Sequence, residues 1–329
     1  MSIISRETRC LLSLSMLRGI GSAYLKKIIQ IPNFINLTVE DLAKYSPEIE
    51  KALSDKKVWE NCQGQVDFQL IQAEKNKARI ISLLDPEYPK LLAETKDAPV
   101  ILYVKGQLSK HSEKSVAIVG TRKPTSQGSE IANRITRFFV ENGWSIVSGL
   151  AIGCDTRAHK TALSLGGHTV AVLAHGLDMV YPKENIPLAE EILASGGALI
   201  SEYCFNQEVK NHQYVKRDQV QAGMAQGVVM IQSSLTGGSL HAPRASLSYN
   251  RWLAVPIPTK KDMQNLEDSI KANIVITDED QSEKIKLLKC TQKQLEHIIV
   301  LKSKNDYYRM TEFSLKTKSE LSNLSLKIL

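Results

Sequence analysis

Residues 115–155 read SVAIVGTRKPTSQGSEIANRITRFFVENGWSIVSGLAIGCD. The β-rich apolar run Val116-Ala117-Ile118-Val119 ends at Gly120. It then passes through a polar loop carrying Thr121, Arg122, Lys123 and Ser126 into a helix expected to open at about Ser129. Strand, glycine, polar loop and helix in that order make a phosphate cradle. The N–H groups of a helix start have no partner within the helix, aligned peptide dipoles add partial positive charge, and Gly120 and Gly128 let an anion approach the backbone. Arg122 and Lys123 add full charges. A second cradle follows in the same style, because Ser145-Ile146-Val147 stops at Ser148-Gly149-Leu150-Ala151-Ile152-Gly153 before another helix carrying Asp155 and His159. Neither loop is GxGxxG or GxxxxGK[ST], so the dinucleotide and triphosphate readings find no support. Glycines after the strands of a doubly wound sheet also serve simply to turn the chain, and that packing reading stays open beside the phosphate one.

Outward from this stretch, strands and helices alternate. The pattern predicts strands near 115–120, 144–149, 168–175, 198–203, 227–233 and 252–256. Helices are expected near 129–142, 155–165, 186–195, 216–225 and 241–250. Alternation at this spacing means parallel strands with right-handed crossovers and helices on both faces, an α/β, Rossmann-like, doubly wound, mostly parallel sheet. Ligands of such sheets lie at the strand C-terminal ends, where the loops 120–128, 148–155, 175–178 and Thr236-Gly237-Gly238-Ser239 fall.

The first 77 residues read as a small helical domain. An apolar helix over Arg6–Leu17 is interrupted by Gly19-Ile20-Gly21 before a second helix with Lys26 and Lys27, a helix-hairpin-helix-like turn whose amides can face a phosphate or merely pack. Further helices are expected around 38–43, with Thr38 as N-cap, and over 56–75. Residues 78–280 hold the sheet, opening with strand character at 78–84 and again at 99–104. Residues 281–329 read as a short basic C-terminal segment, in which 292–302 suits a helix. That segment carries ten Lys and Arg against five Asp and Glu, so +5 of the net +7 lies there. Such a tail is either solvated or in contact with a polyanion.

At 329 residues, 43% hydrophobic and 23% charged, the composition is ordinary globular. No apolar run is long enough to span a membrane and the N-terminus lacks the core of a signal peptide, which predicts a cytoplasmic protein with no membrane partner. Five scattered cysteines without a CxxC pair argue against disulfides and zinc. Cys154 is weighed as a nucleophile against a small buried residue.

With these residues laid out, the chain resembles the DNA-processing protein A family (DprA, also called Smf). The matching residues run from Asp85-Pro86-Glu87-Tyr88-Pro89 and Ile101-Leu102-Tyr103-Val104-Lys105-Gly106 through Val119-Gly120-Thr121-Arg122. They continue with Val147-Ser148-Gly149-Leu150-Ala151-Ile152-Gly153-Cys154-Asp155, His175-Gly176-Leu177-Asp178, Tyr181-Pro182, Ser201-Glu202-Tyr203, Thr236-Gly237-Gly238-Ser239 and Ala254-Val255-Pro256. Order and spacing match over roughly 80–257. The resemblance implies a protein, not an enzyme, that protects incoming single-stranded DNA and loads a RecA-type recombinase in natural transformation, acting as a homodimer without a cofactor or metal. The chain departs from the family pattern in three places. Lys216-Arg217-Asp218-Gln219 stands where Arg-Asn-Arg is usual, His241-Ala242-Pro243 replaces Ile-Thr-Ala, and the glycine- and asparagine-rich ending after Pro256 is missing.

On this reading phosphates lie across the strand ends. They are held by the turns Gly120-Thr121-Arg122 and Ser148-Gly149-Leu150, by Gly238 and Ser239, and by the cations Arg122, Lys123, Lys216 and Arg217, with Tyr181 and Tyr203 as stacking candidates. Two alternatives stay open. One is a nucleotide-binding or nucleotide-cleaving enzyme or sensor using Asp155, His159 and Asp178. The other is a member whose ligand edge has decayed and which acts as a scaffold.

Overall fold

The computed structural model describes residues 4–53, 56–207 and 209–313. Five helices come first: α1 (Arg6–Ser15), α2 (Ser22–Ile29), α3 (Val39–Tyr45), α4 (Pro47–Ala52) and α5 (Lys56–Lys75). Three of them start where a hydroxyl replaces the missing intrahelical acceptor: Ser5 accepts from the Thr8 amide, Thr38 from Asp41 and Ser46 from Ile49. Between α1 and α2 the chain reverses at Gly19, whose φ of +86° suits glycine. The hairpin is spent on packing. Ser22 accepts from the Val100 amide, and Lys26 donates to the Lys96 carbonyl at 2.7 Å. Leu11, Leu25, Leu42 and Val66 share one core with Tyr103, Leu173, Leu199 and Phe205, so the helical region is seated on the sheet and not tethered beside it.

The sheet has nine strands among the described residues: β1 (Ala78–Ser82), β2 (Ile101–Gly106), β3 (Ser115–Val119), β4 (Ser145–Ser148), β5 (Thr169–Leu173), β6 (Ala198–Ser201), β7 (Gly227–Met230), β8 (Trp252–Pro256) and β9 (Ile298–Leu301). Their order is β1-β2-β6-β5-β4-β3-β7-β8-β9. From β6 to β9 all neighbours are parallel, while β2 runs antiparallel to both β1 and β6. The helices are α6 (Lys90–Ala93), α7 (Ser126–Glu141), α8 (Cys154–Ser164), α9 (Ile186–Ala194), α10 (Asn211–Gly223), α11 (His241–Ser248), α12 (Lys260–Gln264), α13 (Lys271–Thr277) and α14 (Gln281–Leu288). Every residue of β3 to β8 is buried, as strands covered on both faces must be. Val116 and Ile118 meet Ile135, Phe139 and Ala158 of α7 and α8, whereas Ala117 and Val119 share the opposite core with Val220 of α10 and Ala245 of α11. This is the doubly wound, mostly parallel, Rossmann-like sheet expected from the sequence.

Three elements differ in a way that bears on the site or the tail. Helix α7 opens at Ser126 and not at Ser129, because Thr125 caps it by accepting from the Gly128 amide at 2.9 Å. Helix α10 begins at Asn211, five residues before the expected 216. The helix expected over 292–302 is a 3-10 turn, Lys293–His297, followed by β9. The β-branched run Ile298-Ile299-Val300 lies parallel to β8 and buries alternate side chains, as an edge strand should. Beyond it Met310 is fully buried, and Tyr307 and Tyr308 pack edge-on against Phe138 of α7. The basic C-terminal segment is therefore folded onto the sheet through residue 313; its last sixteen residues, 314–329, lie outside the described ones.

Ile299 is 3% exposed, so Ile299→Ala should destabilise the protein by roughly 2–5 kcal/mol through lost transfer energy and a cavity. Urea unfolding would show this as one shifted, still cooperative transition. An unchanged midpoint would mean that β9 is not part of the folding unit.

Candidate functional site

The chain leaves β3 in one direction through β4 and β5 to β6, then returns to place β7 on the other side of β3. Loops after β3 and β7 therefore diverge, and a crevice must open between them at the strand C-terminal ends. That crevice, of about 490 Å³, is lined by Gly120, Thr121 and Arg122 after β3, by Asp155 of α8, by Tyr214, Arg217, Asp218 and Gln221 of α10, and by Gly238, Ser239 and His241 after β7. A second cleft of about 330 Å³ adjoins it, lined by Gly149 and Ile152 after β4, by His175, Tyr181 and Lys183 after β5, and again by Arg122, Tyr214 and Arg217. The shared wall is a cluster of two arginines around one tyrosine. The guanidinium carbons of Arg122 and Arg217 lie 5.9 and 5.8 Å from the centre of the Tyr214 ring, within cation–π range.

The two arginines have different duties. Arg122 is exposed. Arg217 is 8% exposed; its Nε donates to Asp218 at 2.8 Å, and one Nη donates to the carbonyls of Gly149 at 2.5 Å and Val172 at 3.3 Å. Asp155 completes the buried cluster by accepting from the amides of Gly149 and Ala151. Burial pushes the Asp155 carboxyl up to about 6; Arg217 pulls it down and Asp218 adds repulsion. The Asp218 carboxyl is also raised by burial, against the pull of Arg217 and Arg122. A Cβ on Gly149 would fall 2.0 Å from the Arg217 guanidinium and 2.8 Å from the Asp155 carboxylate. Glycine stands there because the protein's own charges close on the backbone.

Both cradles read from the sequence are occupied from within. The Thr121 amide donates to the Gln232 carbonyl, and the Thr125 amide, at the start of α7, donates to the Gln232 side-chain oxygen at 3.0 Å. A Cβ on Gly128 would sit 2.2 Å from that oxygen. Gly120 is needed for Cys154, whose sulfur would lie 2.5 Å from an added Cβ. In the second cradle Ser148 is buried and donates to the Ile118 carbonyl, while Leu150 is buried in a left-handed conformation with its carbonyl bonded to Asn185. The amides of Thr121, Thr125, Gly128, Gly149 and Ala151 are thus matched within the protein, and exposed side chains such as Arg122 add donors at the rim.

Gly120, Thr121, Arg122, Arg217, Gly238 and Ser239 come together in the crevice as expected, and Gly149 lines the adjoining cleft. Lys123 is exposed on the same loop as Arg122. Lys216 points elsewhere, where its charge acts on Glu202 and Lys26. Tyr181 is 53% exposed in the second cleft, whereas Tyr203 is buried with its hydroxyl toward the Gln213 carbonyl. Tyr214 and Lys183 were not legible as site residues. The spacing of Tyr214 and Arg217, one helical turn apart, was the available signal.

The acid–base candidates do not converge. His159 is fully buried, 2.7 Å from the Thr169 hydroxyl, and burial lowers its pKa to about 3, so it is a neutral packing histidine under the sheet. Asp178 lies near the Asn206 amide. Cys154 is buried, and burial pushes its thiol far above the usual range. Among the described residues no group of three or more His, Cys, Asp or Glu is placed to hold a metal ion, and no helix is long and apolar enough to cross a membrane.

Known proteins share this architecture. Protein Smf of Synechocystis is 32% identical over 266 residues, covering 77% of this chain and 65% of that protein. DNA processing protein DprA of Streptococcus pneumoniae is 37% identical over 176 residues, covering 54% of this chain and 62% of that one. The chain thus spans less than two thirds of the length of these relatives. The solved structure of the Streptococcus pneumoniae protein superposes with a TM-score of 0.64 at 28% identity, over 85% of this chain and all of that chain. DNA processing protein A of Helicobacter pylori, described for a unique single-stranded DNA binding mode, gives 0.52 at 26% identity over 65% of this chain and 98% of that one. The family model of DNA recombination-mediator protein A matches residues 79–286, a span that runs from β1 into α14 and takes in every loop lining the two clefts. The chain belongs to the DNA recombination-mediator protein A family.

Proposed function

We propose that the chain binds single-stranded DNA across the two clefts, protects it and passes it to a RecA-type recombinase, working as a cytoplasmic homodimer in natural transformation and DNA processing and not as an enzyme. The observation that carries the reading is the shared wall, where Arg122 stands over Tyr214 at the mouth of the crevice with Lys183 and the exposed ring of Tyr181 across the second cleft. Cations at the tips of long side chains neutralise phosphates, and nearby rings offer π-faces to bases of any identity. Membership of a recombination-mediator family and the single-stranded DNA binding described for the Helicobacter pylori neighbour support it. Binding of this kind gives affinity without sequence readout and weakens steeply with salt. The competing reading, a nucleotide-cleaving enzyme or sensor, lacks a convergent acid and base, since Asp155 is engaged by the Gly149 and Ala151 amides and His159 faces Thr169.

Arg122→Ala is expected to weaken binding to oligo(dT) by about tenfold, on the order of 1.4 kcal/mol, with an unchanged circular dichroism spectrum. The dependence of log K on log salt should flatten by about 0.7, one single-strand phosphate contact. Anisotropy titrations with oligo(dT), duplex DNA and mononucleotides side by side test the assignment. Equal affinity of wild type and variant for oligo(dT), or tighter binding of mononucleotides than of oligo(dT), would overturn it.

Two linked sites gain affinity because the second contact becomes intramolecular. A homodimer should therefore bind long oligonucleotides more tightly than the number of added phosphates explains. Light scattering that finds a monomer at micromolar concentration, with affinity that stops rising once one site is covered, would remove both the dimer and the handover role.

A further inference from the structure

A third depression, of about 370 Å³, opens beyond Ile152, between the start of α8 and the loop after β3. Ile152, 42% exposed, lines both this depression and the Tyr181 cleft. The turn at 183–185 does the same, with Lys183 facing the cleft and Asn185 the depression. The two hollows are therefore continuous over one exposed apolar side chain.

Gly153 brings them together. It has a φ of +88°, and a Cβ there would lie 2.5 Å from the carbonyl oxygens of both Thr121 and Arg122. Only glycine lets the loops after β3 and β4 touch, and that contact sets the Arg122 loop against the first turn of α8. Arg157 and Lys160 line the depression three residues apart on one face of α8, and both are exposed. On neighbouring α7, Arg134 and Arg137 are held by Glu130 and Glu141. Arg157 and Lys160 form no such ion pair among the described residues, so their charges remain available to a ligand.

We propose that Arg157 and Lys160 form a second phosphate subsite, so that a strand gripped at Arg122 crosses Ile152 and continues along α8. This inference rests on the single-stranded DNA reading above. Cations, an apolar ridge, then cations again match a polymer in which charged phosphates alternate with apolar bases, and they do not match a single mononucleotide.

The test compares oligothymidylates of about 4 and about 16 nucleotides, the range of footprints seen for sequence-independent single-strand binders. The double variant Arg157→Ala/Lys160→Ala should lose about tenfold in affinity for the longer oligomer, keep its affinity for the shorter one, and lower the salt slope on the longer one by roughly 1.4, the contribution of two phosphates. Arg157→Lys, which retains the charge, should bind both oligomers like the wild type. Arg122→Ala should weaken both. Equal loss on the two oligomers, or no loss on either, by the double variant would overturn the second subsite while leaving the first intact. Wild-type protein that retains neither oligomer would overturn the underlying reading instead, and the two failures are told apart by the wild-type titration alone.

Discussion

The buried Arg217 guanidinium is the constraint on which the ligand edge depends. A charge taken out of water is tolerated only when its donors are matched, and here they are matched by the ends of two strands and a neighbouring carboxylate. In satisfying itself, Arg217 ties α10 to the loop after β4 and to the C-terminal end of β5. Tyr214, one turn earlier on α10, is positioned by the same tie, and exposed Arg122 also lies within cation–π range of that ring. The ring that the free cation approaches is thus held in place by a cation that ligands hardly reach. Removing a single partner from a buried charge cluster of this kind costs about 3–5 kcal/mol, because the remaining charges stay buried and unpaired.

The departures from the family pattern acquire a physical meaning in that cluster. Asp218 occupies a position where the pattern has asparagine, and its carboxylate cancels the charge of the arginine beside it. With Asp155 in the same crevice, one buried and one largely buried acid face one buried cation. The positive potential of the site therefore comes from its rim, from Arg122, Lys123 and Lys183, and not from its floor. Gln219, where the pattern has arginine, is partly buried with an unpartnered side-chain oxygen and adds no charge.

The sheet was legible because parallel strands buried on both faces must be continuous apolar runs, as Val116–Val119 and Val228–Met230 are. Strand β9 was not. It is a four-residue edge strand with only alternate residues buried, and its partner β8 lies some forty residues earlier, so neither length nor local periodicity marks it. The site was half legible for a related reason. A glycine-rich turn announces that something approaches the backbone, yet it does not say what. At Gly120, Gly128 and Gly149 the visitors are Cys154, Gln232 and Arg217, each contributed from another part of the chain. Local sequence carries the vacancy, and only the tertiary fold supplies the occupant.

The Gln232 side chain at the start of α7 sets the mechanical character of any grip on a ligand. Rigid backbone amides at a helix start hold an anion at one fixed point, which suits a small nucleotide bound once. With Gln232 seated on the Thr125 amide, and with Asp262 3.4 Å from the Gln232 side-chain nitrogen, part of that fixed point is taken, and the ends of flexible side chains such as Arg122 and Lys183 carry more of the contact. Such contacts are compliant. They tolerate variation in spacing from one residue of a polymer to the next, and they allow a bound strand to slip by one unit without first being released. A polymer held this way can be drawn through or handed over in small steps, with no single contact whose rupture sets the pace.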